Sequence, residues 1–155
     1  MIYSLFLNST TNTPLTNYYS TVDSNNRGQR VYAVDWSFLP DDKQFKVTFK
    51  FASKKIASLT ADNTAFICAN FTQTNNVVGG NEVRRKPFRF LGIVKPYYVS
   101  AATDMSYSAN PVENDPIYLS KRPDNNFLEI TVCDMTNTLA TIAVDYLMVI
   151  SFEEI

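Results

Sequence analysis

Carboxylates are the most numerous side chains in this sequence that could do acid–base chemistry. The chain has 15 Asp and Glu residues, and a pair of carboxylates can hydrolyse a glycosidic bond. The adjacent pairs Asp41-Asp42 and Glu153-Glu154 have simpler explanations, because the first lies in a turn after Pro40 and the second in a polar terminal segment. No spacing singles out a catalytic pair, so we predict no catalytic residues and no enzymatic activity.

The absence of histidine removes the commonest general base and the commonest metal ligand. The two cysteines, Cys68 and Cys133, lie inside apolar runs, and no Cys-x-x-Cys motif is present. Two cysteines without other ligands cannot form a zinc site, so we expect no metal and no cofactor. Buried thiols in a reducing compartment are the favoured interpretation, and a disulfide between neighbouring strands is the alternative.

Tyrosines and one basic cluster are the candidate contact residues. Tyr combines a large apolar area with a polar tip and is enriched at interfaces. Arg84-Arg85-Lys86 and Arg89 could contact an acidic protein surface, lipid phosphate or DNA, or form a solvated loop beside Glu82. Each Tyr could equally pack locally. The predicted interface residues are Tyr18, Tyr19, Arg84, Arg85, Lys86, Arg89, Tyr97, Tyr98 and Tyr107.

Charge and hydropathy exclude several classes of function. The formal net charge of −1 disfavours specific nucleic-acid binding, which needs a clear cationic surface. The N-terminal segment has a short apolar run without a basic region before it, so no signal peptide is predicted. No stretch reaches the length of a transmembrane helix. These features indicate a protein that begins at Met1 and folds in a cytosol-like compartment.

The segment Arg30–Phe51 has the clearest secondary-structure pattern. Tyr32, Val34, Trp36 and Phe38 alternate with more polar residues, and Phe45, Val47, Phe49 and Phe51 do the same after a turn at residues 39–43. Strict alternation indicates strands with one face on a core and the other in water. The pattern therefore predicts a β-hairpin whose large side chains share one face, with Asp35 in solvent.

The rest of the sequence predicts about six more strands, separated by polar turns, in a single domain of residues 1–155. Many short strands with turns between them are typical of a sandwich or barrel. The uneven connections favour an all-β, eight-stranded antiparallel β-sandwich with jelly-roll topology. The last strand is apolar on both faces, so either Leu147 and Val149 or the set Tyr146, Met148 and Ile150 could face the core. The predicted core is Trp36, Phe38, Phe45, Val47, Phe49, Leu128, Ile130, Val132, Leu147 and Val149.

Three segments resemble a known protein family. They are VYAVDWSFLPDDKQFKVTFKF from Val31, DPIYLSKRPDNNFLEITVCD from Asp115 and DYLMVISFEE from Asp145. Together they resemble the small single jelly-roll minor capsid proteins of large icosahedral double-stranded DNA viruses. The resemblance implies a virion structural role without catalysis, and it brings no catalytic residues to this chain.

Two functions are therefore considered. The first is a minor capsid, cement or vertex subunit, made in the host cytoplasm and located in the virion. Its partners would be other capsid proteins, including the major capsid protein and copies of itself, with a peripheral membrane or genome contact through Arg84-Arg85-Lys86. The alternative is a carbohydrate-binding β-sandwich module with Trp36 as a platform, although the phase of Trp36 with Tyr32 and Val34 predicts its burial.

Overall fold

The computed structural model describes residues 1–9, 29–53, 56–57, 65–71, 90–98, 104–109, 114–134 and 146–155. A 3-10 turn, Trp36–Phe38, follows the second of the strands in these ranges. The described part is nearly all β, as the sequence predicts. Its ten strands are β1 Ile2–Asn8, β2 Gln29–Ala33, β3 Phe45–Ser53, β4 Ile56–Ala57, β5 Ala65–Ala69, β6 Phe90–Tyr98, β7 Asp104–Ala109, β8 Ile117–Leu119, β9 Phe127–Asp134 and β10 Tyr146–Glu154.

The strands form two antiparallel sheets of four main strands each. The order is β1-β10-β3-β7 in the first sheet and β2-β9-β5-β6 in the second. Two short strands are added to the first sheet, since β4 pairs with β7 and β8 with β3. The first two main strands thus lie beside the last two, which is the double Greek-key order of a jelly roll. The predicted fold class is confirmed.

Strand β6 belongs to both sheets. Its residues Phe90–Val94 lie along β5, and its residues Lys95–Tyr98 pair with β7. Lys95-Pro96 is therefore the point where one strand passes between the sheets. Pro has no backbone N–H and fits best where the ladder is interrupted.

The core lies between the two sheets. Alternate residues of β3, β9 and β10 point into it, as their period-2 patterns require. A hydrogen bond of 2.8 Å between the hydroxyl groups of Tyr32 and Tyr146 joins the two sheets inside the core. Burial raises the pKa of the Tyr32 phenol. The largest fully buried side chains are Leu39, Phe45, Val47, Ile67, Val94, Leu128, Ile130, Met148, Ile150 and Phe152.

The predicted hairpin Arg30–Phe51 is wrong. Strand β2 pairs with β9 in the second sheet, whereas β3 pairs with β10 in the first. The chain leaves β2 after Ala33, makes the 3-10 turn and crosses to the other sheet before Phe45. Asp35 caps this turn, since its carboxylate accepts a hydrogen bond from Ser37 N at 2.9 Å. Residues 32–35, before the turn, still alternate between buried and exposed, and this alternation suggested one long strand.

The turn also changes the facing of Phe38 but not that of Trp36. Trp36 is buried as predicted, and its ring packs against Phe71 and Phe152 at centroid distances of 6.1 and 5.9 Å. Phe38 is 36% exposed, so its assignment to the core is wrong. Residues in a 3-10 helix are about 120° apart, so two residues on do not return to the same face. Val31, expected in water, is buried.

Of the two sets of residues that could face the core from the last strand, the structure buries Tyr146, Met148 and Ile150. Tyr146, Met148 and Ile150 are buried, whereas Leu147 is 46% exposed and Val149 is half-buried. The register with β3 decides this, because Ile150 lies opposite Phe49 and residues opposite each other share a face. The core assignment of Leu147 and Val149 is therefore wrong.

Candidate functional site

Most of the predicted interface residues lie outside the described residues. This applies to Tyr18, Tyr19, Arg84, Arg85, Lys86 and Arg89. The structure places the backbones of the other three on neighbouring strands, where Tyr97 pairs with Ser106, Tyr98 with Met105 and Tyr107 with Pro96. These three tyrosines therefore lie on the paired ends of β6 and β7, and their role in contacts stays a prediction.

The first sheet exposes an apolar outer surface that the sequence analysis did not identify. Side chains on this surface come from alternate residues of β1, β10 and β3, the faces opposite to the core. Ile2 and Phe6 are 64% and 58% exposed, and Leu147 is 46% exposed. The register places Phe6 beside Val149 and Leu147 beside Ala52. We call Phe6, Ala52, Leu147 and Val149 the apolar face; Ile2 lies beyond the Ser4–Ser151 row, opposite Glu153.

The position of β1 explains why the apolar face was missed. Ile2–Leu7 reads as an apolar run with little alternation, so the sequence does not separate its two faces. In the structure Leu7 is buried and Tyr3 and Leu5 pack against the core, which leaves Ile2 and Phe6 outside. Large apolar residues occur at both odd and even positions of β1 and β10, and this pattern in the sequence could have predicted an exposed apolar surface.

Polar contacts border the apolar face at one end. Lys46 on β3 donates to Glu153 on β10 at 3.1 Å, and Tyr118 of β8 lies opposite Lys46 with 59% exposure. The adjacent Glu154 accepts a 2.8 Å hydrogen bond from the Tyr3 hydroxyl. This bond lowers the pKa of the Glu154 carboxyl and raises the pKa of the Tyr3 phenol. The Lys46–Glu153 ion pair and the exposed Tyr118 therefore mark this end of the apolar face.

A groove runs beside β1, between the two sheets. It is lined by Leu5, Phe6 and Leu7 on one side and by Tyr32–Asp35 and Phe38 on the other, with a volume of about 330 Å³. Leu7, Tyr32 and Val34 in its lining are buried, and Ala33 and Asp35 are exposed. The groove therefore has a lining of mixed polarity and an open rim next to the outer strand of the first sheet.

The carboxylates considered for catalysis have identified contacts. Asp41 lies 3.7 Å from Arg122, whose guanidinium also donates to the Leu39 carbonyl at 3.0 Å. Glu153 is paired with Lys46 and Glu154 with Tyr3, as described above. The described residues contain no cluster of three or more His, Cys, Asp or Glu suited to a metal ion. In the same ranges, no helix is long and apolar enough to cross a membrane.

Cys68 lies in the described strand β5. Cys68 is a buried thiol and is not in a disulfide, so the alternative of a Cys68–Cys133 disulfide is wrong. Strand β5 is buried on both faces, with Ile67 in the core and Phe66 and Cys68 on the opposite side. The Cys68 thiol is therefore buried on the face of the second sheet that points away from the core.

Comparison with known proteins gives a structural likeness but no match in sequence. No protein-family model matches the chain, and no curated protein matches it in sequence. Among solved structures, the chain is similar to the selenomethionine-labelled mavirus penton protein, with 10% identity, 99% of each chain covered and a TM-score of 0.32. At this TM-score, the jelly-roll assignment rests on the strand order of the chain itself.

Proposed function

We propose that this protein is a structural subunit of an icosahedral virion, in a minor capsid, cement or vertex position. The apolar face is the observation that supports this most directly. Contiguous exposed apolar groups on a folded domain mark surfaces that other proteins cover. A four-stranded sheet holds these groups in a fixed arrangement, which suits a permanent contact. The three sequence segments that resemble minor capsid proteins add the viral context.

The proposed partners are other capsid proteins, namely the major capsid protein and further copies of this chain. The proposed location is the virion, after synthesis in the host cytoplasm. Arg84, Arg85 and Lys86 would add a peripheral contact with an inner membrane or the genome, without sequence-specific binding of nucleic acid. In this proposal the protein has no catalytic role.

The carbohydrate-binding alternative receives no support from Trp36. A sugar platform requires an exposed aromatic ring, whereas Trp36 is buried among Phe38, Phe71 and Phe152. The first function is therefore preferred.

Incorporation into particles tests the proposal. Leu147→Ser removes an exposed apolar side chain from the apolar face, and we expect the variant to fold but to be depleted severalfold from purified virus particles. Lys50→Ser is the matched control, because Lys50 is exposed on the same face of the first sheet. It lies on the neighbouring strand β3, opposite Val149. Quantitative mass spectrometry of particles made with each variant gives the copy number. Absence of the wild-type protein from particles, or equal incorporation of L147S and wild type, would contradict the proposal.

A further inference from the structure

Among the described residues, nothing pairs with the outer hydrogen-bonding edge of strand β1. It is the outermost strand of the first sheet and pairs with β10 on one side. Glu154 N donates to the Met1 carbonyl at 2.9 Å, and Ser9 N donates to the Tyr146 carbonyl at 3.0 Å. Because residues of an antiparallel strand point their backbone groups alternately to the two sides, odd-numbered residues face β10. Ile2, Ser4 and Phe6 therefore direct their N–H and C=O groups away from the sheet.

Within its own described residues, this edge lacks charge, Pro and bulges, three features that commonly prevent pairing. Proteins protect outer strands with charged side chains, Pro, bulges or covering side chains. The sequence of β1, Ile-Tyr-Ser-Leu-Phe-Leu-Asn, contains no charge and no Pro, and its register with β10 has no bulge. Strand β6 shows the contrast, because the Asn114 side chain both accepts from Ile93 N at 2.8 Å and donates to Ile93 O at 3.1 Å.

The strand is also complementary to itself. If two copies pair antiparallel about a twofold axis at Ser4, the outward-pointing backbone groups of Ile2, Ser4 and Phe6 meet those of Phe6, Ser4 and Ile2 in the other copy. Ile2 and Phe6 are the two most exposed apolar side chains within β1, and each would lie opposite the other. On the inner face, partly buried Tyr3 would lie opposite Leu5. Cross-strand aromatic–aliphatic pairs of this kind stabilise sheets.

The groove beside β1 provides space for the added strand. It is bordered by Leu5–Leu7 and by Tyr32–Asp35, so a strand that extends the first sheet past β1 lies over it. The inner side chains of that strand, Tyr3 and Leu5 of the other copy, would then lie over the groove, close to Leu7 and Val34 in its lining. We propose that two copies of this chain associate through β1, antiparallel about Ser4, to form one continuous sheet across the dimer.

Charge placed at the axis tests the dimer. Ser4 is exposed, and Ser4→Lys sets two ammonium groups opposite each other only in the paired state. We expect this variant to raise the dimer dissociation constant by about tenfold or more, because facing like charges oppose association. Ser151→Lys is the matched control, since Ser151 lies beside Ser4 on the same face but one strand further in, and its dimer should match the wild type. Sedimentation velocity over a range of concentrations measures both.

Hydrogen exchange provides a second measurement that needs no variant. The amides of Ile2, Ser4 and Phe6 should gain protection as the wild-type concentration rises, whereas those of Tyr3 and Leu5, already bonded to β10, should not change. A wild-type protein that stays monomeric, or an S4K variant that dimerises like wild type, overturns the proposal. A closed pentamer also overturns it while agreeing with a vertex subunit, so the dimer and the virion role fail separately.

Discussion

At the scale of single residues, Gly92 in β6 is a position that leaves no space for a side chain. A Cβ atom at this position would press against the Phe49 ring and lie 2.7 Å from Asn114 Oδ1. Phe49 comes from the first sheet and Gly92 from the second, so the missing side chain lets the sheets approach each other. Asn114 uses the same space to bind the backbone of Ile93.

Gly92→Ala should therefore destabilise the fold. Overpacking a core typically costs about 1–3 kcal/mol, and chemical denaturation measures the change in the free energy of unfolding. The double variant Gly92→Ala with Phe49→Leu should be less destabilised than the sum of the two single variants, because the smaller side chain leaves room for the new methyl group. Simple additivity would show that the Phe49 ring does not restrict position 92.

At the scale of elements, the 3-10 turn Trp36–Phe38 determines how the chain passes from the second sheet to the first. It places Trp36 in the aromatic cluster and leaves Phe38 partly outside. The Leu39 carbonyl after the turn accepts from Arg122, which connects this crossing to the segment before β9. A strand continuing through residue 38 would have made the hairpin that the alternation suggested.

Asp35→Ala should lower the melting temperature, because the carboxylate that accepts from Ser37 N is lost. The backbone and side-chain hydrogen bonds with Ser37 lower the pKa of the Asp35 carboxyl. Asp35→Asn is the matched control, since Asn retains an acceptor at the same position and is an effective cap. Thermal unfolding followed by circular dichroism gives both values. If D35A and D35N melt together below wild type, charge and not capping explains the loss.

At the scale of the whole molecule, the two terminal segments are joined in the first sheet and share one set of polar contacts. The Met1 ammonium lies 3.4 Å from Glu154, which also accepts from Tyr3. The pKa of the Glu154 carboxyl is lowered from 4.5, mainly by the Tyr3 hydrogen bond. The pKa of the Asp124 carboxyl is lowered from 3.8 by its hydrogen bond with Lys121.

These lowered pKa values predict a loss of stability in acid. A group whose pKa is lower in the folded state stabilises the fold above its ordinary pKa, and this contribution disappears as pH falls through the lowered value. The melting temperature should therefore fall below about pH 4.5. Glu154→Gln should reduce this acid dependence, whereas Asp115→Asn, at another exposed carboxylate, serves as the control. If the melting temperature of E154Q falls with decreasing pH as much as that of the wild type, the role of Glu154 is contradicted.

The sequence by itself determined the fold class, because β-branched and aromatic residues at period 2, separated by polar turns, are compatible with little else. It identified Phe45, Val47 and Phe49 of β3, and Leu128, Ile130 and Val132 of β9, as core residues, since clear alternation fixes a face. These features depend on neighbours close along the chain.

Only the tertiary structure decided which strands pair and which side of an uninterrupted apolar strand faces inward. Both β1 and β10 have apolar residues at each parity, so their register with neighbours, and not their own pattern, buries Met148 and exposes Leu147 and Phe6. The hairpin prediction failed for the same reason, because a capped turn of three residues sends β2 and β3 to different sheets. Pairing between distant strands is a property of the assembled core, and the open edge of β1 becomes visible only there.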